Sequence, residues 1–132
     1  MRINTHTSTL TPGEIKTIII GTIKWCQLCL GVNNRRKNGL NVSITCNGGM
    51  DEMGGFNYKT NTLIIYYNNN VRVRDLVRTT IHEYTHYLQP VRKYYGEYQR
   101  IYGYDYNPME KEAVSNENKH YKRAWRMILK SV

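Results

Sequence analysis

The sequence predicts an α+β fold in a single domain that spans residues 1–132, because two kinds of hydrophobic periodicity follow each other along the chain. Apolar residues recur at helical intervals in three separate segments, which indicates amphipathic helices. Between the first two segments, apolar and polar residues alternate, which indicates half-buried strands. A chain of 132 residues can build one modest core but not two domains of ordinary size.

The first helix is predicted to begin at Thr11–Glu14, where Thr and Glu stand at capping-box spacing and Pro12 takes the first helical position. Gly31 ends this helix. Cys26 and Cys29 lie within it at Cys-x-x-Cys spacing, but no second pair of cysteines follows. We therefore interpret them as buried core thiols rather than as ligands of a structural zinc ion.

Three short strands are predicted between the first two helices. Residues 40–46 alternate between apolar and polar side chains, as a half-buried strand does. Residues 56–59 and 62–67 follow, and Lys59-Thr60-Asn61 supplies a hairpin turn between them. Since the strands of a hairpin are antiparallel, we expect a small three-stranded, mostly antiparallel sheet.

The second helix, predicted from Val73 to Gln89, carries two stripes of side chains on different faces. The stripe expected to face the core consists of Val77, Ile81, Tyr84 and Leu88. The other stripe, about 120° away, consists of Asp75, Thr79, His82 and His86. Pro90 stops the helix just after the second histidine.

Residues 82–86 read His-Glu-Tyr-Thr-His, and this motif indicates a catalytic zinc site. His82 and His86 lie one turn apart on one helix face, so both imidazoles can reach a single ion. Glu83 then points toward the open coordination position, where it can take a proton from bound water. The motif therefore predicts a zinc metalloendopeptidase.

The third zinc ligand is expected near the C-terminus, where Pro108 opens a last helix after a Tyr- and Gly-rich connection over residues 91–107. The two other histidines, His6 and His120, lie in a polar tail and in a basic surface sequence. On a straight helix, two glutamates share the apolar face and one, Glu112, falls opposite. The two on the apolar face, which the helical wheel favours, are Glu110 and Glu117.

The segment Glu112-Ala-Val-Ser-Asn116 resembles the signature of glutamate zincins, in which the third-ligand Glu precedes a small residue and a Ser-Asp pair follows on the next turn. With the His-Glu-x-x-His motif, it makes residues 55–118 similar to gluzincin metallopeptidases. The resemblance is strongest to the minimal single-domain members and to the ImmA/IrrE-like peptidases. It implies a compact zincin-like domain that cleaves a peptide or protein substrate.

The resemblance also implies roles for individual residues. Glu83 becomes the general base, and the zinc ligands become His82, His86 and Glu112, with Glu110 as the reserve for the third position. Asn116 stands where the signature has an acidic residue that bonds a ligand histidine; Asn accepts the same hydrogen bond but adds no charge. Residues 62–67 become an edge strand that pairs with an extended peptide. A tyrosine of residues 94–106, not singled out by the sequence, would donate to the oxyanion.

The net charge of +9 favours nucleic acid or another acidic partner. The clearest basic clusters are Arg35-Arg36-Lys37 and Lys119, Lys122, Arg123, Arg126 and Lys130. Two alternatives to an ordinary peptidase therefore stay open. One is an SprT-like protease that acts on DNA-bound proteins, although that family uses a third histidine. The other is a non-catalytic basic module with a vestigial zinc site.

The polar start of the chain and its odd number of cysteines predict a cytoplasmic protein with reduced thiols. The longest apolar stretch, residues 18–30, is interrupted by Lys24 and is too short to span a bilayer. We therefore expect no membrane partner.

Overall fold

The computed structural model describes residues 1–34, 39–46 and 51–131, so the predicted cluster Arg35-Arg36-Lys37 lies outside the described residues. The fold within these ranges is α+β, as predicted. The helices are α1 (Pro12–Cys29), α2 (Val73–Leu88), α3 (Val91–Tyr106) and α4 (Pro108–Ser131). The strands are β1 (Asn41–Thr45), β2 (Gly54–Asn57) and β3 (Thr62–Tyr66).

The sheet is mixed, with the strand order β1-β3-β2. β3 pairs in parallel with β1 and antiparallel with β2. The expectations of a mostly antiparallel sheet and of residues 62–67 as an edge strand are therefore wrong. The physical reason is burial. Leu63 and Ile65 of β3 are fully buried, and residues of a central strand are shielded from solvent better than those of an edge strand. β2 is an edge strand instead.

Helix α2 lies at the centre of the domain and packs against α1, α4 and the sheet. Val77, Ile81 and Tyr84 of its predicted apolar stripe are fully buried. Tyr84 also donates a hydrogen bond through its hydroxyl to the carbonyl oxygen of Gly31 at 2.6 Å. A helix enclosed on three sides has little freedom to shift, so it is a rigid base for the side chains that it presents.

Helix α1 has the predicted capping box. The backbone N–H of Glu14 donates to Thr11 Oγ1 at 3.1 Å, and the Thr11 N–H donates to the Glu14 carboxylate at 2.9 Å. Two N–H groups at the helix start thereby gain partners. Cys26 is buried in the core as expected, whereas Cys29 is exposed, because it falls on the solvent face of the helix.

The prediction of a Tyr- and Gly-rich connection over residues 91–107 is wrong, because most of this segment forms helix α3. None of its described side chains is buried, so the segment lacks the apolar stripe by which a helix is recognised in a sequence. Gly103 kinks the helix with φ 72° and ψ 176°, a conformation that is essentially restricted to glycine. Tyr104 follows directly after this kink.

Helix α4 begins at Pro108, as predicted, and returns along α2. Its buried residues Ala124, Trp125 and Ile128 join the core with α1. None of the helices described here combines the length with the apolar content that a membrane crossing requires.

Candidate metal centre

Helices α2 and α4 bring two histidines and a glutamate together. Glu110, in the first turn of α4, places Oε1 2.9 Å from His82 Nε2 and 3.0 Å from His86 Nε2. One potential ligand atom from each of the three residues lies within 4.8 Å of the others. His86 and Glu110 are buried, and His82 is partly buried. The arrangement forms because Pro108 starts α4 just before Glu110, beside the last turn of α2.

The outer nitrogens of both imidazoles are fixed by acceptor oxygens. His82 Nδ1 lies 2.9 Å from Glu117 Oε1, and His86 Nδ1 lies 2.7 Å from Gln89 Oε1. Gln89 is oriented in turn, because its amide nitrogen donates to the Met109 carbonyl oxygen at 3.0 Å. A carboxylate and an amide oxygen only accept hydrogen bonds, so each Nδ1 carries a hydrogen. In the neutral form of each imidazole, Nε2 then offers a lone pair with which it could bind a metal ion.

The residues present fit a zinc ion by this hydrogen-bond pattern. In the neutral tautomers, two Nε2 lone pairs and the Glu110 carboxylate face the same point. Three electron-rich groups at this spacing repel one another unless protons or a cation lie between them. Two imidazole nitrogens and one carboxylate oxygen form a ligand set found in catalytic zinc sites, which leave a further position open.

The pKa values of the cluster show the same preference for positive charge. Burial alone lowers the pKa of His82, but hydrogen bonds to Glu110 and Glu117 outweigh burial and raise it to about 10. For Glu110, burial acts to raise the pKa, but hydrogen bonds from the two histidines and from Tyr95 hold it well below its usual range. The cluster therefore favours positive charge on the histidines beside an ionised Glu110.

Tyr95 of α3 holds the other oxygen of Glu110. Its hydroxyl donates to Glu110 Oε2, and its ring meets the His86 ring edge to face at 5.9 Å between centroids. No sequence pattern distinguishes Tyr95 from the other tyrosines of its segment. This contact leaves Glu110 Oε1 directed at the histidines.

Glu83 follows the first histidine and lies in the same cleft. It is buried, and burial raises its pKa to about 7, although His82 and His86 act in the opposite direction. A carboxyl group with a pKa near neutrality is suited to accept and return a proton.

The structure does not bring Glu112 to the two histidines, because it falls on the other side of α4, as the helical wheel indicated. Glu110 takes the place that the resemblance gave to Glu112. Glu112 is exposed and accepts a hydrogen bond of 2.8 Å from the Gln89 amide, so it helps to orient the partner of His86.

Asn116 does not bond a histidine either. Its amide donates to Thr85 Oγ1 at 3.2 Å. The neighbouring Glu117 is the residue that bonds His82, so the supporting carboxylate is present but displaced by one position. Arg78 fixes this carboxylate in turn through an ion pair of 3.2 Å. His6 and His120 lie outside the cluster, and the His120 ring packs on Trp25.

Two open cavities flank the cluster. A cavity of about 550 Å³ is lined by residues that include His82, Glu83, Glu117 and Tyr104. A second, of about 360 Å³, is lined by residues that include His86, Glu110, Tyr95 and, again, Tyr104. Tyr104, which lines both, directly follows the kink at Gly103.

Strand β2 forms the opposite wall and lies unusually close to α2. A Cβ atom added to Gly54 would stand 2.7 Å from the Ile64 carbonyl oxygen and 2.8 Å from Thr79 Cγ2. Buried Asn70 holds this arrangement. Its side-chain oxygen accepts from Thr79 Oγ1 at 2.6 Å, and its amide donates to the Met53 carbonyl oxygen at 2.9 Å. Edge strand β2 is thereby fixed beside Glu83.

Comparisons with protein-family models, with curated proteins and with solved structures found no match to this chain. The function of the protein is therefore inferred from the geometry of the site.

Proposed function

We propose that this chain is a zinc-dependent metallopeptidase of the zincin type. The observation that carries the proposal is the convergence of His82, His86 and Glu110 on one point, with Glu83 beside them in an open cleft. The first three residues would hold the ion. Glu110 replaces Glu112 in this role because its carboxylate lies at the histidines and that of Glu112 does not.

Bound zinc would supply a Lewis acid and a water molecule of lowered pKa. Glu83 accepts the proton of the attacking water and returns it to the leaving amine. Its position supports this role, because Glu83 lines the same cavity as His82, His86 and Glu110. Glu117 and Gln89 keep both imidazoles in the tautomer that offers Nε2 to the ion.

An extended peptide is the substrate form that the cleft favours. β2 pairs with β3 along one edge, and no described strand pairs with its other edge. Gly54, Gly55 and Phe56 of β2 line the cavity that also contains Glu83 and the histidines. A peptide added antiparallel to this edge would satisfy its backbone groups and lie across the cleft. The substrate-binding strand is therefore β2 rather than residues 62–67.

Tyr104 is the tyrosine that we assign to the oxyanion. It lines both cavities, whereas the hydroxyl of Tyr95 is already engaged with Glu110. A phenol that faces the cleft donates a hydrogen bond where negative charge develops in the tetrahedral intermediate.

The three cysteines are free, which favours action in the reducing cytoplasm.

Glu83→Gln tests the proposal, because it removes the proton acceptor and preserves the shape of the side chain. Purified wild type with bound zinc should hydrolyse a fluorescently labelled denatured protein. Glu83→Gln should keep its zinc and lose hydrolysis by a factor of about 100 or more. Glu112→Gln is the matched control on α4 and should keep most of the activity.

A non-catalytic zinc-binding module gives a different result in this assay. Wild type and Glu83→Gln would both bind zinc, and neither would hydrolyse the labelled protein or a mixture of random peptides. That outcome would contradict the peptidase proposal and leave the metal site intact.

A further inference from the structure

A third cavity, of about 370 Å³, lies between α2 and α4 at the end away from the histidines. It is lined by Ile3, Asn4, Arg74, Tyr121, Lys122, Trp125 and Arg126. At 1.5 Å per residue, Arg74 lies about 12 Å along α2 from His82. We call it the basic cavity. It is separate from the candidate metal centre, although both are built on α2 and α4.

The basic cavity combines three cations with no acidic lining residue among those described. No ion pair within the described ranges neutralises Lys122 or Arg126. The carboxylate paired with Arg74 is that of Asp75, at 3.9 Å, and a pair this long and exposed contributes little. Three cations around one concave surface repel one another, so an anion bound there would be stabilised.

The positive charge continues along α4. After Glu117, residues 118–131 contain no acidic residue. The exposed cations Lys119, Lys122, Arg126 and Lys130 recur at intervals of three or four and therefore form one stripe. This stripe is about 16 Å long, since α4 rises 1.5 Å per residue. A linear row of cations matches a linear row of phosphates better than it matches a single small anion.

The aromatic residues of the basic cavity do not form an exposed apolar surface, and one of them, Tyr121, makes a cation–π contact. Lys122 Nζ lies 5.9 Å from the Tyr121 ring centre. The same ring also lies 5.4 Å from the guanidinium of Arg78, which does not line the cavity. Trp125 is buried. No lining residue exposes a large apolar side chain that would insert into a lipid layer. The surface therefore favours a polyphosphate backbone over a membrane.

We propose that the basic cavity and the α4 stripe bind the phosphate backbone of a nucleic acid. The cations contact phosphates and read no bases, so binding is independent of sequence and depends strongly on salt. A nucleic acid on this surface would lie beside the cleft on the same pair of helices.

The test is fluorescence anisotropy with one labelled DNA sequence, as a duplex and as a single strand, between about 50 and about 200 mM salt. The cavity variant is Arg74→Gln/Lys122→Gln/Arg126→Gln. The matched control is Lys16→Gln/Lys24→Gln/Lys59→Gln, which removes the same charge from exposed lysines elsewhere. Thermal unfolding and zinc content should be unchanged in both variants, because all six substituted side chains are exposed and none belongs to the candidate metal centre.

Wild type should bind at least one of the two DNA forms, and the cavity variant should bind about tenfold more weakly or worse. The slope of log affinity against log salt should fall by about 2.7 for the duplex, because three phosphate contacts are lost at about 0.9 each. The control should keep most of the affinity and the slope.

Three outcomes would overturn the proposal. If wild type bound neither DNA form, nucleic acid would not be the ligand of this surface. Equal weakening in the cavity variant and the control would show diffuse attraction by net charge. Binding to vesicles of phosphatidylserine and phosphatidylcholine, lost in the cavity variant and without DNA binding, would assign the surface to a membrane.

Discussion

Helices α2 and α3 both contribute side chains to the candidate metal centre, but they differ greatly in how tightly they pack against the rest of the domain. α2 is enclosed by α1, α4 and the sheet, and most of its residues are buried. α3 has no buried residue among those described and packs mainly against α4. α2 supplies the histidines and Glu83, whereas α3 supplies Tyr95 and Tyr104. Two of the three proposed ion ligands thus lie on the enclosed helix α2, and the third, Glu110, lies on α4. The two tyrosines lie on the loosely packed helix α3.

The difference matters for function because the two helices can change independently. Loss of packing in α2 would unfold the domain together with the site. A change in α3 would move Tyr95 and Tyr104 while the histidines stay in place. Substitutions in the two helices should therefore separate stability from activity.

The largest effect is expected from Tyr84→Ala in α2. Tyr84 is fully buried and bonds Gly31, so its removal should lower the free energy of unfolding by about 3–5 kcal/mol. Tyr98→Ala in α3 is the matched control, because Tyr98 stacks only between Tyr94 and Tyr102 among the aromatic contacts described. It should cost about 1 kcal/mol. Urea unfolding of both variants measures the difference, and equal losses would refute the contrast between the helices.

A smaller effect on stability, but a clear one on activity, is expected from Gly103→Ala. The φ of 72° and ψ of 176° at this position disfavour any side chain by about 1–3 kcal/mol. The end of α3 should relax, and Tyr104 should leave the cleft. Hydrolysis of the labelled denatured protein should then fall while zinc content stays unchanged.

Gly96→Ala is the control for that substitution. Gly96 lies in a helical part of α3 with no atom within 4 Å of an added Cβ. Alanine there should stabilise the helix by about 0.5–1 kcal/mol and leave hydrolysis unchanged. If both glycine variants hydrolyse the substrate equally well, the placement of Tyr104 by Gly103 has no catalytic importance.

The sequence predicted those elements whose burial leaves a repeating pattern. The apolar stripe of α2, the capping box of α1 and the proline start of α4 are all present in the structure. Each is a local signal, because the residues that produce it are close together in the chain. The histidine pair is local in the same way.

The sequence did not predict features that depend on contacts between distant segments. α3 has no apolar stripe in the sequence. The position of β3 between β1 and β2 depends on a parallel pairing of β3 with β1, from which β2 separates it along the chain. The orientation of Gln89 and the contact of Tyr95 with Glu110 require helices that only the fold brings together.

The choice between Glu110 and Glu112 shows how two sequence signals can conflict. The motif resemblance favoured Glu112, and the helical wheel favoured Glu110 or Glu117. Because α4 is helical from Pro108 onward, the wheel describes its faces correctly. Glu110 and Glu117 both contact His82, and Glu112 bonds Gln89 instead.

The measurement that tests the site most directly is the zinc content of wild type, Glu110→Ala and Glu112→Ala by mass spectrometry. All three proteins would be purified without added metal and then reconstituted with equimolar zinc. We expect about one zinc ion per chain in wild type and in Glu112→Ala, and a strong loss of zinc in Glu110→Ala. Zinc retained in Glu110→Ala and lost in Glu112→Ala would contradict the proposed ligand set, and no zinc in any of the three would contradict the metal centre itself.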